Sequence, residues 1–169
     1  MNIWELTDLE ELPDDRKNTV IKIYSETGNY PKYGTEGSAA FDIEAKKEII
    51  WKTYQDYHVA TVDTGLYTSF SSKYVLKIYP RSGLGFKFQM GLANTVGIID
   101  SDYRGEIVIK LVVPSTVPTE LLPKEAGSRI AQAILEEIPR VYFKTLTKEE
   151  FENEKNTERG EGGFGSTGI

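Results

Sequence analysis

The sequence predicts an all-β domain, built as a sandwich, jelly roll or barrel. Three observations carry this expectation. Six runs read as strands, most of them apolar with a period of two. Gly, Pro, Ser and Asn punctuate the runs at about the ten-residue spacing of all-β folds. The helical candidates are short.

Residues 1–18 are acidic and lack apolar periodicity. Thr7 followed by Glu10 matches a capping box before Pro13, so a loose extension and a short ordered turn both fit. Val20–Tyr24 begins the period-two pattern, and Phe41–Ala45 continues it. Tyr57–Phe70 is a longer run that Gly65 can break. Tyr74–Tyr79 follows and stops at Pro80. Ser82–Phe88 is the first helical candidate. In Glu106–Val113, Ile107, Ile109, Leu111 and Val113 share one face, with Glu106, Val108, Lys110 and Val112 on the other. Arg129–Ile138 is the last strand candidate. Thr147–Lys155 is the second helical candidate, with Thr147 and Glu150 spaced as a capping box. Residues 159–168 hold five Gly and one aromatic, cannot bury a core and read as a flexible tail.

The length of 169 residues fits one ordinary domain. The absence of Cys removes disulfides, thiolate nucleophiles and Cys-ligated zinc. His58 is the only histidine, so two-His metal sites need a second chain. The net charge of −6 disfavours long nucleic acid, but a small anion escorted by a metal ion remains compatible. The N-terminus does not read as a signal peptide, and no window reaches the apolar length of a membrane span. A soluble, cytoplasmic protein is expected, in the host cytoplasm if the chain is viral.

Four stretches besides the tail stand out, each with a plain structural alternative. Asp42 in Ser38–Ile43 is a ligand group or a turn residue. In Pro80–Gly85, Ser82, Gly83 and Arg81 suit an anion, or Ser82 simply caps a helix. Gly91–Glu106 has a hairpin's pattern, with Asp100 and Asp102 beside Tyr103. That grouping suits a general base, yet Asp-Ser-Asp is also good turn chemistry. In Gly127–Gln132, Arg129 and Gln132 are ligand groups or the outward face of an edge strand. The P-loop and dinucleotide fingerprints are absent.

All five stretches, in this order, resemble the trimeric dUTPase family, in a phage or bacterial form. The resemblance runs from about Ser38 to Gly168 and is closest at 81–84, 99–105 and the tail from Arg159. It implies a distorted jelly-roll-like subunit with one or two short helices and a flexible arm. It implies a homotrimer with shared sites that hydrolyses dUTP to dUMP and pyrophosphate with Mg2+. That reaction limits uracil incorporation into DNA and supplies dUMP for dTMP synthesis. By resemblance, Asp100 activates the attacking water, and Gln132 lies near the phosphates and that water. Tyr103 packs under the deoxyribose, and Asn94, Gly97 and Ile99 lie on the hairpin that reads uracil. Arg81, Ser82 and Gly83 bind phosphate, and Asp42 reaches the metal through water. Arg159, Phe164, Gly165, Ser166 and Thr167 form the arm that closes over a neighbouring subunit's site. The implied organisation is an extension at 1–18, a β domain at 19–143 and an arm at 144–169.

Ala40, Phe86 and Ser128 depart from the family pattern, and Pro114–Ala126 is longer than typical. Two alternatives stay open on sequence alone. One is a dCTP deaminase-like enzyme. The other is a regulatory protein of this fold, controlled by dUTP through an unidentified partner.

Overall fold

The computed structural model describes residues 19–162. The Thr7–Glu10 capping box and Phe164, Gly165, Ser166 and Thr167 lie outside the described residues. One compact unit ends at Ile138, and a second begins at Pro139.

The first unit is antiparallel β. Its strands are β1 (Lys22–Ser25), β2 (Lys32–Tyr33), β3 (Phe41–Glu44), β4 (Lys52–Thr53), β5 (Tyr57–Asp63), β6 (Leu66–Ser69), β7 (Tyr74–Tyr79), β8 (Gly91–Leu92), β9 (Gly97–Ile99), β10 (Val108–Pro114) and β11 (Arg129–Glu137). Helix α1 (Ser82–Phe88) follows β7. The strands form a five-stranded sheet, β2-β3-β11-β7-β9, a four-stranded sheet, β4-β5-β10-β8, and the pair β1-β6.

The alternation in β10 does what its pattern requires. Ile109, Leu111 and Val113, with Ile107 just before the strand, are buried in one core. That core also takes Ile43 from β3, Leu76 and Ile78 from β7, and Ile130, Ala131 and Ala133 from β11. The two larger sheets therefore close on a single apolar cluster, as a sandwich must. Truncating Leu111 to Ala would cost about 2–5 kcal/mol, because such a core relaxes only in part.

Gly65 breaks the long run as its residue type suggests. It has φ +67, and Leu66–Ser69 leaves the four-stranded sheet to pair with β1. The Pro-rich segment is stitched to β4 and β5. Trp51 Nε1 donates to Pro123 O at 2.9 Å, and Ile49 N–H donates to Lys124 O at 2.7 Å. His58 is buried, with Nε2 3.0 Å from Val117 O and Nδ1 3.0 Å from Thr53 Oγ1. It serves as structure, not as a ligand group.

Two expectations change. The segment at 129 is not an edge strand, since β11 lies between β3 and β7. The Gly91–Glu106 segment does not pair with itself as a hairpin: its start, β8, pairs with β10 beyond it, Leu92 opposite Leu111. Its outer arm, β9, crosses to the other sheet and pairs with β7. Gly97 permits that crossing, because a β-carbon there would stand 3.0 Å from Ile78 Cβ.

In the second unit, α2 (Lys148–Glu154) carries the expected capping box. Glu150 N–H donates to Thr147 Oγ1 at 3.2 Å, and Thr147 N–H donates to Glu150 Oε2 at 2.7 Å. The bond from Thr147 N–H holds the Glu150 carboxyl below its ordinary range. No helix among the described residues is long and apolar enough to cross a membrane.

Candidate functional site

An open cleft of about 720 Å³ lies where β3, the end of β7 and the start of β11 meet. Asp42, Arg81, Ser82, Gly83, Arg129 and Gln132 line it. Its size falls within the range of small-molecule sites.

Each side chain arrives by a traceable route. Pro80 ends β7 without needing a ladder donor, so the chain turns there and presents Arg81. Arg81, not Ser82, is the N-cap residue of α1, with extended backbone and no side-chain cap. Gln132 stands opposite both Asp42 and Tyr79 in the sheet, and its Nε2 donates to Pro80 O at 2.9 Å. That bond ties the turn carrying Arg81 to the central strand.

The Asp42 carboxylate serves two guanidinium groups. Arg81 Nε donates to Oδ1 at 2.7 Å, and Arg129 Nη1 donates to Oδ2 at 3.2 Å. Two arginines against one carboxylate leave the cleft lining net positive, although the chain carries −6. Such a lining favours an anion.

A second group of predicted residues sits elsewhere on the same unit. Asn94 and Thr95 turn the chain between β8 and β9, where Thr95 takes φ 65 and Asn94 Nδ2 donates to Val96 O at 3.2 Å. Gly97 and Ile99 lie on β9, and Asp100 follows it. Asp100 O accepts from Tyr103 N–H at 3.1 Å, closing a turn. Both Asp100 and Tyr103 are exposed on the single chain.

The β7–β9 register separates Asp100 and Tyr103, though not Asn94 and Gly97, from the cleft. Gly97 faces Ile78 and Ile99 faces Leu76, so the strands run in opposite directions. Arg81 continues past one end of the pair and Asp100 past the other. At about 3.3 Å per residue they lie roughly 20 Å apart along the strands.

Arg159 lies in the second unit, where its Nε donates to Gly162 O at 2.9 Å. Two contributors escaped assignment from sequence. For Arg129 the sequence offers both a ligand and a surface role, and the structure puts it in the cleft lining. Arg104 carries no sequence signal of its own, yet its Nη1 lies 2.8 Å from Ser101 O, 2.9 Å from Tyr103 O and 3.3 Å from Thr68 O. It holds the Asp100–Tyr103 turn against β6. No local signal separates such an Arg from any charged turn residue.

Fold and cleft together define an antiparallel β domain with a positively lined cleft. A family model described as dUTPase matches residues 26–168. The chain is 40% identical over 154 residues to a deoxyuridine 5'-triphosphate nucleotidohydrolase of Fusobacterium nucleatum, covering 90% of this chain and 99% of that one. It is 39% identical over 150 residues to the protein of the same name from Finegoldia magna, covering 88% and 99%. Among solved structures it is similar to the Staphylococcus bacteriophage 80alpha dUTPase with dUPNHPP. The TM-score is 0.68 at 25% identity, covering 89% of this chain and 99% of that one. The fold is also that of a dUTPase from phage phi11 of S. aureus, described with coordination of a structural Mg(II) ion. That TM-score is 0.61 at 18% identity, covering 76% and 97%. The chain belongs to the dUTPase family, and its all-β subunit is the jelly-roll-like fold of these relatives.

Proposed function

We propose that the protein hydrolyses dUTP to dUMP and pyrophosphate. The observation that carries this reading is the positively lined cleft of Arg81, Arg129 and Gln132 in a chain that matches the dUTPase family over residues 26–168. A triphosphate needs charge neutralisation, which guanidinium groups supply through charge-assisted hydrogen bonds. Ser82 and Gly83 line the same cleft and complete the phosphate-binding turn.

Asp100 is the general base of this reading. It takes a proton from water as the water attacks the α-phosphorus. The bond from that phosphorus to its bridging oxygen breaks, and pyrophosphate leaves. Tyr103 packs under the deoxyribose and excludes a 2'-hydroxyl. Backbone groups of 97–99 read the uracil edge. Support comes from topology, because β9 is the last strand of its sheet and has one unpaired side.

The described residues show no direct ligand set for a divalent cation, and Asp42 reaches the metal only through water in this reading. They hold no group of three or more His, Asp or Glu placed for one, and both Asp42 oxygens accept from arginines. A Mg2+ held by the phosphates belongs to the substrate in this reading, since Mg2+ keeps most of its waters and often binds through phosphates.

The roughly 20 Å separation of Arg81 and Asp100 supports a homotrimer with shared sites. A neighbouring copy's Asp100 and Tyr103 then complete the cleft of Arg81. The arm with Arg159, Phe164, Gly165, Ser166 and Thr167 closes over the nucleotide. The consequence in the cell is less uracil in DNA and a supply of dUMP for dTMP synthesis.

The test is pyrophosphate release from Mg2+ complexes of dUTP, UTP, dTTP and dCTP, with ammonia release from dCTP as control. A clear preference for dUTP supports the reading, and its absence overturns it. Asp100→Asn is expected to lower the dUTP rate by about 10²–10⁴ with binding retained. A variant keeping more than a tenth of the rate removes Asp100 from that role.

A further inference from the structure

The turn that carries Asp100 and Tyr103 is tied to β6. That strand pairs only with β1. Its carbonyls at Leu66 and Thr68, two residues apart, leave the strand on the same side. Thr68 O accepts from Arg104 Nη1 at 3.3 Å, and Leu66 O accepts from Ile107 N–H at 2.9 Å. One strand therefore holds both ends of the 104–107 segment. The crossover that precedes β6 adds two more bonds. Thr64 Oγ1 donates to Ile107 O at 2.6 Å, and Gly65 N–H donates to Glu106 Oε1 at 2.7 Å.

These bonds converge on one peptide group. The peptide joining Glu106 to Ile107 is planar and trans, so its C=O and N–H point in opposite directions. The N–H is fixed on Leu66 O. The C=O accepts the Tyr103 phenol at 3.1 Å. The phenol is thus fastened to the far side of a plane that β6 holds. Such a plane can still turn about the line of its two bonds. The Glu106 side chain removes that freedom, because Gly65 grips its carboxylate. Gly65 is fixed in turn, since its O accepts from Glu26 N–H at 2.9 Å. Glu106 does not line the cleft of Arg81, so it acts on the site through Tyr103.

We infer that Glu106 is the positioning residue of the Tyr103 ring: its carboxylate, held by Gly65, sets the peptide plane that receives the phenol. The consequence for the reaction rests on the reading of Tyr103 as the deoxyribose platform. A ring that shifts leaves room for a 2'-hydroxyl, so the loss falls on selectivity for the deoxynucleotide and not on rate alone. Reach matters here more than charge. Glu106→Gln keeps an oxygen acceptor at the same length. Glu106→Asp keeps the charge but is one methylene short, and Glu106→Ala has neither acceptor nor reach.

The experiment compares kcat/KM for dUTP and UTP, and follows the ring by NMR of the full chain carrying tyrosine labelled with carbon-13 at Cζ. Tyr103→Phe identifies the Tyr103 signal. Glu106→Ala should narrow the dUTP-to-UTP ratio about tenfold, the scale of a lost buried hydrogen bond. It should also shift the Tyr103 signal with no nucleotide present. Glu106→Asp should do the same. Glu106→Gln should keep the ratio within about threefold of wild type and leave the signal in place.

An unmoved Tyr103 signal in Glu106→Ala rejects the inference, whatever happens to rate or melting temperature. So does a moved signal with an unchanged ratio, where Tyr103→Ala itself narrows the ratio. Failure of Glu106→Gln to restore what Glu106→Ala loses rejects the role of the side-chain acceptor. If Glu106→Ala does not fold, the same criteria apply to Glu106→Asp. The two readings fail separately. A moved signal that Glu106→Gln restores, with a ratio that Tyr103→Ala leaves unchanged, supports the positioning role and removes Tyr103 as the sugar platform. A ratio that responds to Tyr103→Ala but not to Glu106→Ala does the reverse.

Discussion

The ring of Tyr103 lies over Gly105 so closely that a β-carbon at 105 would stand 2.5 Å from the ring's Cζ. The phenol donates to Glu106 O at 3.1 Å and holds the ring there. Any side chain at 105 must push the ring away. If the ring is the deoxyribose platform, Gly105→Ala should narrow the gap in kcat/KM between dUTP and UTP, as Tyr103→Ala should. An unchanged ratio in a folded Gly105→Ala protein would count against Tyr103 as the sugar filter.

Arg104 is expected to matter for rate more than for stability. Its one nitrogen reaches three carbonyls and fixes the turn that carries Asp100. Arg104→Gln should lower kcat for dUTP about tenfold to a hundredfold, since small misplacements of catalytic groups carry costs of that order. The residue is exposed, so the melting temperature should move by only a few degrees. A large drop in melting temperature with kcat unchanged would reverse this reading.

The shared site is tested by mixing. A chain ending at Glu158 keeps every strand and the buried core, so it should fold and assemble but lose most activity. Jointly refolded with full-length Asp100→Asn, it should regain activity, because some sites then combine an intact arm with an intact Asp100. Confirmed mixed assemblies without recovery would place arm and base on the same chain.

A pH experiment isolates the network that joins β1, β6 and the β3–β4 turn. Tyr67 donates to Glu26 Oε1 at 2.6 Å, and Lys46 pairs with the same carboxylate. The Glu26 bond pushes the Tyr67 phenol from 10.0 up to about 12. A raised pKa means the folded state holds the proton more tightly. The contribution is present below pH 10 and lost as pH rises through about 12. The Lys46 hydrogen bond holds the Glu26 carboxyl below its ordinary range, so its contribution disappears as pH falls through that lowered value. Ultraviolet titration should show one late-ionising phenol that Tyr67→Phe removes. A titration unchanged by Tyr67→Phe would dissolve the network.

Local chemistry decided what could be read in advance. The period of two in β10 alone placed Ile107, Ile109, Leu111 and Val113 in the core, because alternation is a property of the strand itself. The break at Gly65 and the Thr147–Glu150 cap follow equally from residue type and spacing. The two-residue strands β2 and β4 are too short to show a period, and only their pairing with β3 and β5 defines them. Tertiary structure alone decided that β9 leaves β8 for β7, since strand pairing is non-local and Gly97 is its only sequence trace. It alone placed Arg129 in the cleft, because one bulged residue reverses every inside–outside assignment before it. Asp42 shows the division most clearly. The chain itself sets a carboxylate on β3, but its two arginine partners are 39 and 87 residues away, and only the closed sheet brings their charges within reach.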